Sequence, residues 1–267
     1  MIRFDEPSDV YHANAAIGSG RIRAYLRSPR LFRDHCDGIC EEETDALLFG
    51  IAAHLRLLEP EAFDKTVAIK PEGMSFATTE GKAWRAQQAG RLIVKEEDAN
   101  HLRRMHERMP AEVREIFARC RREVTVRTEI DGIPVQCRPD LWDLDGRRKY
   151  DLKTTKDIDD VELTVWKRGY HIQDRWYDRV ILAETGKRCV ESALVFVEHK
   201  PPYRWRIVDL DPDFRHMGEK AVGDALHGIA ARMKSGCWDD EDDVRLLASP
   251  PEWAHVPDAD TADDEEG

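Results

Sequence analysis

The stretch from Val124 to Thr155 constrains the fold more than any other. Val124, Val126, Thr128 and Ile130 alternate with polar residues, the two-residue period of a half-buried strand. Asp131-Gly132 comes next, a pair suited to a tight hairpin because both positions tolerate positive φ. Ile133 to Leu144 reads as a second strand, Asp145-Gly146 as another turn and Arg147 to Thr155 as a third strand. An antiparallel meander is therefore expected at the centre of the chain.

Helical sequence surrounds it. Residues 22–34 and 43–58 read as helices, the second with Leu47, Leu48, Ile51, Leu55 and Leu58 at helical spacing and a stop at Glu59-Pro60. Residues 61–77 read as loop, and residues 79–119 as charged helix broken by Gly90 and Pro110. Beyond the meander come a helix from Gly169 to Glu184, strands at Glu191–Glu198 and Tyr203–Leu210, and a last helix from Asp213 to Lys234. Helices and strands in this order give an α/β or α+β fold around one sheet.

Charge separates the body of the chain from its C-terminal stretch. The chain of 267 residues carries a net charge of −12, yet residues 239–267 hold twelve acidic residues and one basic, Arg245. That segment accounts for −11 and leaves residues 1–238 at −1. A body this close to neutral can hold a local basic groove, so a nucleic-acid partner is not excluded. The segment itself has the composition of disorder. No apolar run approaches the ~18 residues of a membrane span, and nothing near Met1 resembles a secretory signal. A soluble, intracellular protein without a membrane partner is expected. The six cysteines are scattered, which fits free thiols. His35, Cys36 and Cys40 could form half a metal site, but no second close pair completes it.

The residues suited to chemistry lie on the meander. Asp140 falls late in the second strand, and Asp151 and Lys153 share one face of the third. The hairpin brings Asp140 toward Asp151. Two adjacent carboxylates repel unless a cation lies between them. Oxygen ligands suit Mg²⁺ or Mn²⁺, and a nearby lysine can hold a water or neutralise developing phosphate charge. Glu123, at the start of the first strand, is a candidate extra carboxylate. Alone, Asp-x-Lys on a strand is also an ordinary surface pattern.

Several segments in order make the pattern specific. Pro139-Asp140 with Asp151-Leu152-Lys153 after it resembles the PD-(D/E)XK nuclease superfamily. The helix segment Phe49 to Pro60 with His54, Cys137-Arg138-Pro139-Asp140, Asp151 to Thr155, Gln173-x-x-x-Tyr177, Lys200 to Tyr203 and Gly236-Cys237-Trp238 more closely resemble the RecE-like (exodeoxyribonuclease VIII type) exonucleases. The resemblance spans residues 22–238. It implies a restriction-endonuclease-like core, a mixed sheet flanked by helices. That makes residues 1–238 one nuclease domain, with a helical part at 20–119 and a catalytic core at 120–238.

Carried onto this sequence, the resemblance implies Mg²⁺ (or Mn²⁺) held by His54, Asp140, Asp151 and the Leu152 carbonyl. Lys153 would orient the attacking water, and Gln173 and Tyr177 would contact the DNA backbone near the scissile phosphate. Arg138, Lys156, Lys167 and Arg168 are the basic residues nearest the motif for phosphate contacts. The implied activity is 5′→3′ exonuclease digestion of double-stranded DNA ends, leaving 3′ single strands for recombination. The implied partners are a single-strand annealing protein and further copies in a ring-shaped homo-oligomer. The implied setting is the cytoplasm of a bacterial host, encoded by phage or prophage. An endonuclease or single-strand-specific nuclease on the same core, or a DNA- or partner-binding module that does not cut, are the alternative readings.

Overall fold

The computed structural model describes residues 1–39 and 44–240. The chain opens with a short strand β1 (Ile2–Arg3) and helices α1 (Ser8–Ala13), α2 (Ser19–Arg27) and α3 (Pro29–Cys36). The expected single helix at 22–34 is thus two. Ser28 is extended, its side chain accepts a hydrogen bond from Leu31 N, and Pro29 starts the second helix. This is the geometry that an N-cap serine with proline after it favours.

Helix α4 (Asp45–Leu58) begins at Thr44, whose side chain caps Leu47 N. Its buried face is Ala52, Ala53, Leu57 and Leu58, whereas Leu47 and Ile51 are exposed. Part of the expected apolar stripe therefore points to solvent. Residues 61–77 are not simply loop: α5 (Pro60–Thr66) leads into strand β2 (Val67–Lys70). Then come α6 (Thr79–Gln87), β3 (Leu92–Lys95), α7 (Glu96–Glu107) and α8 (Ala111–Arg119). Strands β2 and β3 pair in parallel as a small sheet of their own. Each is only four residues long, too short for a periodicity argument to separate it from the flanking helices.

The central stretch forms β4 (Arg121–Arg122), β5 (Thr125–Ile130), β6 (Ile133–Cys137), β7 (Leu141–Asp143) and β8 (Arg148–Thr155). Asp131 and Gly132 both have positive φ, as the β5–β6 hairpin requires. The expected strand at 133–144 is two strands in different sheets: β6 pairs with β5, and β7 with β8. The break falls at Arg138-Pro139-Asp140. One continuous meander is therefore wrong, because Pro139 has no N–H to continue a ladder.

After β8 come α9 (Val161–Arg168), a helix absent from the sequence expectations, and α10 (Tyr170–Thr185). Strands β9 (Glu191–Glu198) and β10 (Trp205–Asp209) and helix α11 (Pro212–Ser235) complete the fold. The main sheet has the order β10-β9-β8-β7-β4, and a second sheet the order β1-β5-β6. Strand β8 is parallel to β9 and antiparallel to β7, so the sheet is mixed. Among the described residues there are three sheets, not one.

Strand alternation sorts the layers. Tyr150 and Leu152 of β8 and Val195 and Val197 of β9 pack with α4, α7 and α8 in one core cluster. A second cluster joins the β5–β6 sheet to α2, α3, α10 and α11 through Val126, Val135, Trp176, Val180 and Ile229. Leu194 and Phe196 pack with α9 in a third. The opposite face of β8, carrying Lys149, Asp151 and Lys153, turns toward α10. No helix among the described residues is long and apolar enough to cross a membrane. The expectation of disorder at 239–267 lies outside the described residues, except for Asp239 and Asp240, and Cys40 of the Cys36–Cys40 pair lies outside them too.

Candidate active site

The site starts from an interrupted ladder. Leu141 pairs with Tyr150, and the same register continued by two residues would set Pro139 opposite Leu152. Proline cannot donate to the Leu152 carbonyl. Both backbone groups of Leu152 find other partners. Its N–H donates to Asp140 Oδ2 at 2.6 Å, and its carbonyl lies 3.0 Å from His54 Nε2 on α4. The Pro-Asp pair thus opens the ladder and fills half of the gap with a carboxylate.

Around this gap the other groups converge. His54 Nδ1 lies 3.7 Å from Asp140 Oδ1. His54, Glu123 and Asp140 each offer a ligand atom within 4.8 Å of the others. Glu123 sits at positive φ, and its N–H donates to the Asp140 carbonyl at 3.0 Å. Its side chain pairs with Arg138, Nε to Oε2 at 2.7 Å. Arg138 is 7% exposed and lies over the Tyr11 ring. It is turned inward to Glu123, not out to solvent.

Asp151 and Lys153 share the α10-facing side of β8 and are ion-paired. Lys153 Nζ donates to Gln173 Oε1 at 3.0 Å, and Gln173 Nε2 donates to the Tyr177 hydroxyl at 2.8 Å. Gln173 and Tyr177 are one helical turn apart, so both tips reach the same place. The Tyr170 ring lies 4.4 Å from Lys153 Nζ, a cation–π contact that sequence reasoning missed. Lys156, Lys167 and Arg168 are exposed.

The electrostatics are those of a site short of positive charge. Burial first, then the charges of Asp151 and Glu123, push Asp140 well above the usual carboxylate range. Burial pushes Glu123 up to about 7, with Arg138 opposing and Glu59 and Asp151 adding to the rise. Burial and then Lys153 press His54 down to about 4, so it is a neutral lone-pair donor at neutral pH. Burial alone would lower Lys153, but the charge of Asp151 outweighs it and keeps the ammonium protonated.

This donor set fits a divalent cation. It combines a neutral imidazole, carboxylates that repel one another, and a backbone carbonyl freed from its ladder. Both Asp151 oxygens are buried without accepting a hydrogen bond of good geometry.

A second charged group missed by sequence reasoning lies on the same faces. Lys149 Nζ is ion-paired with Asp174 and lies 3.3 Å from Asp178 Oδ1. Arg175 pairs with both carboxylates, and Ser192 Oγ closes the group from β9. The available signal was alternation: Lys149 is two residues before Asp151 and four before Lys153, on one strand face. Trp176 Nε1 donates to the Gln136 carbonyl at 2.9 Å and ties α10 to β6 as well.

Comparison with other proteins places this geometry. Residues 19–241 match the family described as PDDEXK-like domain of unknown function (DUF3799). A crystal structure of a candidate exonuclease from Eubacterium rectale superposes with a TM-score of 0.65 at 16% identity, covering 93% of this chain and 97% of that one. The two share a fold. A phage-related exonuclease from Haemophilus somnus aligns at a TM-score of 0.33 and 14% identity, over 86% of this chain and 99% of its own. An alkaline exonuclease from Laribacter hongkongensis aligns at 0.35 and 15%, over 85% and 95%. Scores this low carry no weight for fold. No curated protein matches the sequence.

Proposed function

The chain belongs to this PDDEXK-like family, and on that premise we propose that it is a metal-dependent deoxyribonuclease acting on the ends of linear duplex DNA. The observation that carries the reading is the convergence on one broken ladder of His54, Asp140, the Leu152 carbonyl, Asp151 and Lys153. Mg²⁺ or Mn²⁺ is the proposed cofactor, with His54, Asp140, Asp151 and the Leu152 carbonyl as its ligands and Glu123 as an additional carboxylate. When bound, such an ion supplies Lewis acidity toward phosphate oxygens and lowers the pKa of water.

The side chains perform the rest. Lys153, protonated and fixed between Asp151 and Gln173, donates to the attacking water and aligns it on phosphorus. The water oxygen forms the new P–O bond and gives a proton to solvent, and the bond to the 3′-oxygen breaks as that oxygen takes up a proton from solvent. The products are a 5′-phosphate and a 3′-hydroxyl. Gln173 and Tyr177 donate toward phosphate oxygens once substrate displaces their mutual hydrogen bond. Lys156, Lys167 and Arg168 neutralise flanking phosphates, which makes binding salt-dependent. Arg138 acts on Glu123 instead of on DNA.

The finer reading is 5′→3′ digestion that leaves 3′ single strands for annealing-based recombination, by a homo-oligomeric ring working with a single-strand annealing protein. The ordered RecE-like motifs support it. The test is digestion of 5′-labelled linear duplex with Mg²⁺ or Mn²⁺, beside a closed circle. Early release of label from the linear form alone, abolished in Asp151→Ala and Lys153→Ala, is the expected result. A cut circle would replace the exonuclease reading with an endonuclease. No cleavage of single or double strands with either metal would overturn the nuclease reading.

A further inference from the structure

The chain leaves its body beside a row of arginines. Trp238 stacks on Phe32 of α3, with ring centroids 5.1 Å apart and planes at 22°. Ser28 Oγ donates to both carboxylate oxygens of Asp240, at 2.9 and 2.8 Å, and Arg30 lies 3.5 Å from Asp239. The first two acidic residues after Trp238 are thus already seated at the start of α3, where the helix dipole favours negative charge.

From that point the basic residues run back along the helical pair. Behind Arg30 come exposed Arg27 and then Arg23. Arg23 Nη1 donates to the Arg168 carbonyl at 2.8 Å. That contact joins α2 to the α9–α10 junction, where Tyr170 and Gln173 touch Lys153. Arg23 thus sits against the start of α10, the helix that carries Gln173.

The segment that exits there carries the opposite charge. Residues 241–267 hold ten acidic residues and one basic, Arg245. Twenty-seven residues span up to about 90 Å when extended, so length does not limit their reach. We propose that segment 241–267 docks on the arginine row of α2 and α3 and competes there with nucleic-acid phosphates. It acts as an internal polyanion that lowers nonspecific affinity for DNA. The competition rests on the nuclease reading; the docking does not.

Two measurements on the full chain separate these parts. The first is tryptic cleavage after Arg245, with the appearance of fragment 246–267 read by mass. Docking predicts cleavage several-fold slower than in a free peptide of residues 241–267 at about 50 mM salt, with the protection lost near 300 mM. Arg27→Glu/Arg30→Glu must remove the protection at low salt. Cleavage as fast as in the free peptide, or protection unchanged by those substitutions, overturns the docking.

The second is affinity for a duplex oligonucleotide in EDTA, where no cutting occurs. A full chain with the ten acidic residues changed to Asn or Gln should bind about tenfold more tightly at low salt, with the difference fading at high salt. Equal affinity overturns the competition. Protection without duplex binding by either chain would remove the nuclease reading while leaving the docking intact.

Discussion

Two charged clusters lie a few residues apart on the same faces of β8 and α10, and they are built to opposite rules. Around Lys149, two cations (Lys149, Arg175) meet two carboxylates (Asp174, Asp178), and each carboxylate has a cation within ion-pair distance. Around Leu152, three carboxylates (Asp140, Asp151, Glu123) share two cations (Lys153, Arg138) and a neutral imidazole. Asp174 and Asp140 are 6% and 7% exposed, yet their carboxyls shift in opposite directions. Burial would raise both, but Lys149 and Arg175 overturn that at Asp174 and hold it low. At Asp140, burial and the charges of Asp151 and Glu123 outweigh Lys153 and the Leu152 N–H, and the carboxyl is held high. Burial therefore does not distinguish the candidate site from the balanced cluster; uncompensated charge does.

Breaking the balanced cluster gives the largest expected effect on stability. Lys149→Met leaves buried Asp174 and half-buried Asp178 without their central cation, and should cost about 3–5 kcal/mol in urea unfolding. An unchanged midpoint would mean that solvent reaches the group. Breaking the unbalanced cluster should instead spare folding and remove activity. Asp151→Asn is expected to slow single-turnover cleavage of linear duplex by about 10²–10³-fold with a near-native melt; a retained rate would put the chemistry elsewhere.

The pH dependence sharpens the contrast. A depressed carboxyl pKa contributes stability above the unfolded value, and that contribution is lost as pH falls through the folded value. The penalty of Asp174→Asn, about 2 kcal/mol, should therefore be full at pH 5–7 and shrink toward pH 3 in urea titrations. A pH-independent penalty would assign it to packing. Asp140→Asn should act with the other sign. Its raised pKa means that ionised Asp140 weakens the metal-free fold, so the neutral variant should be more stable by about 1 kcal/mol at pH 7 in EDTA. Mn²⁺ should then stabilise the wild type and not the variant. The smallest effect falls on the element both clusters share. Gly169 opens α10 at φ 64°, and Gly169→Ala should cost about 1 kcal/mol in the same unfolding assay.

How much of this was legible in the sequence depended on the range of the signal. The Asp131-Gly132 turn, β8 and α10 arise from local chemistry, and α10 ends where Gly186 takes the left-handed conformation that glycine adopts freely. The convergence of His54, Asp140, Asp151 and Lys153 could be expected because their order along the chain resembles a known one. The split of 133–144 between two sheets was not, since alternation continues through Arg138-Pro139-Asp140 and only the missing N–H of Pro139 marks the break. Lys149 was missed for a related reason. A lysine on a strand reads as solvent-facing until α10, some 25 residues later, supplies Asp174. The inward turn of Arg138 likewise depends on Glu123 and Tyr11, which no spacing brings together.

The broken ladder at Leu152 also bears on when the centre can exist during synthesis. Its two halves, His54 and Leu152, are 98 positions apart, and β8 gains its parallel neighbour only when β9 has been made, through Glu198. Closing contacts of that span is entropically slow. A nascent chain still short of β9 holds every carboxylate of the centre but leaves β8 without its parallel neighbour. The side chains of the centre are thus all synthesised before the strand that completes the sheet beneath them.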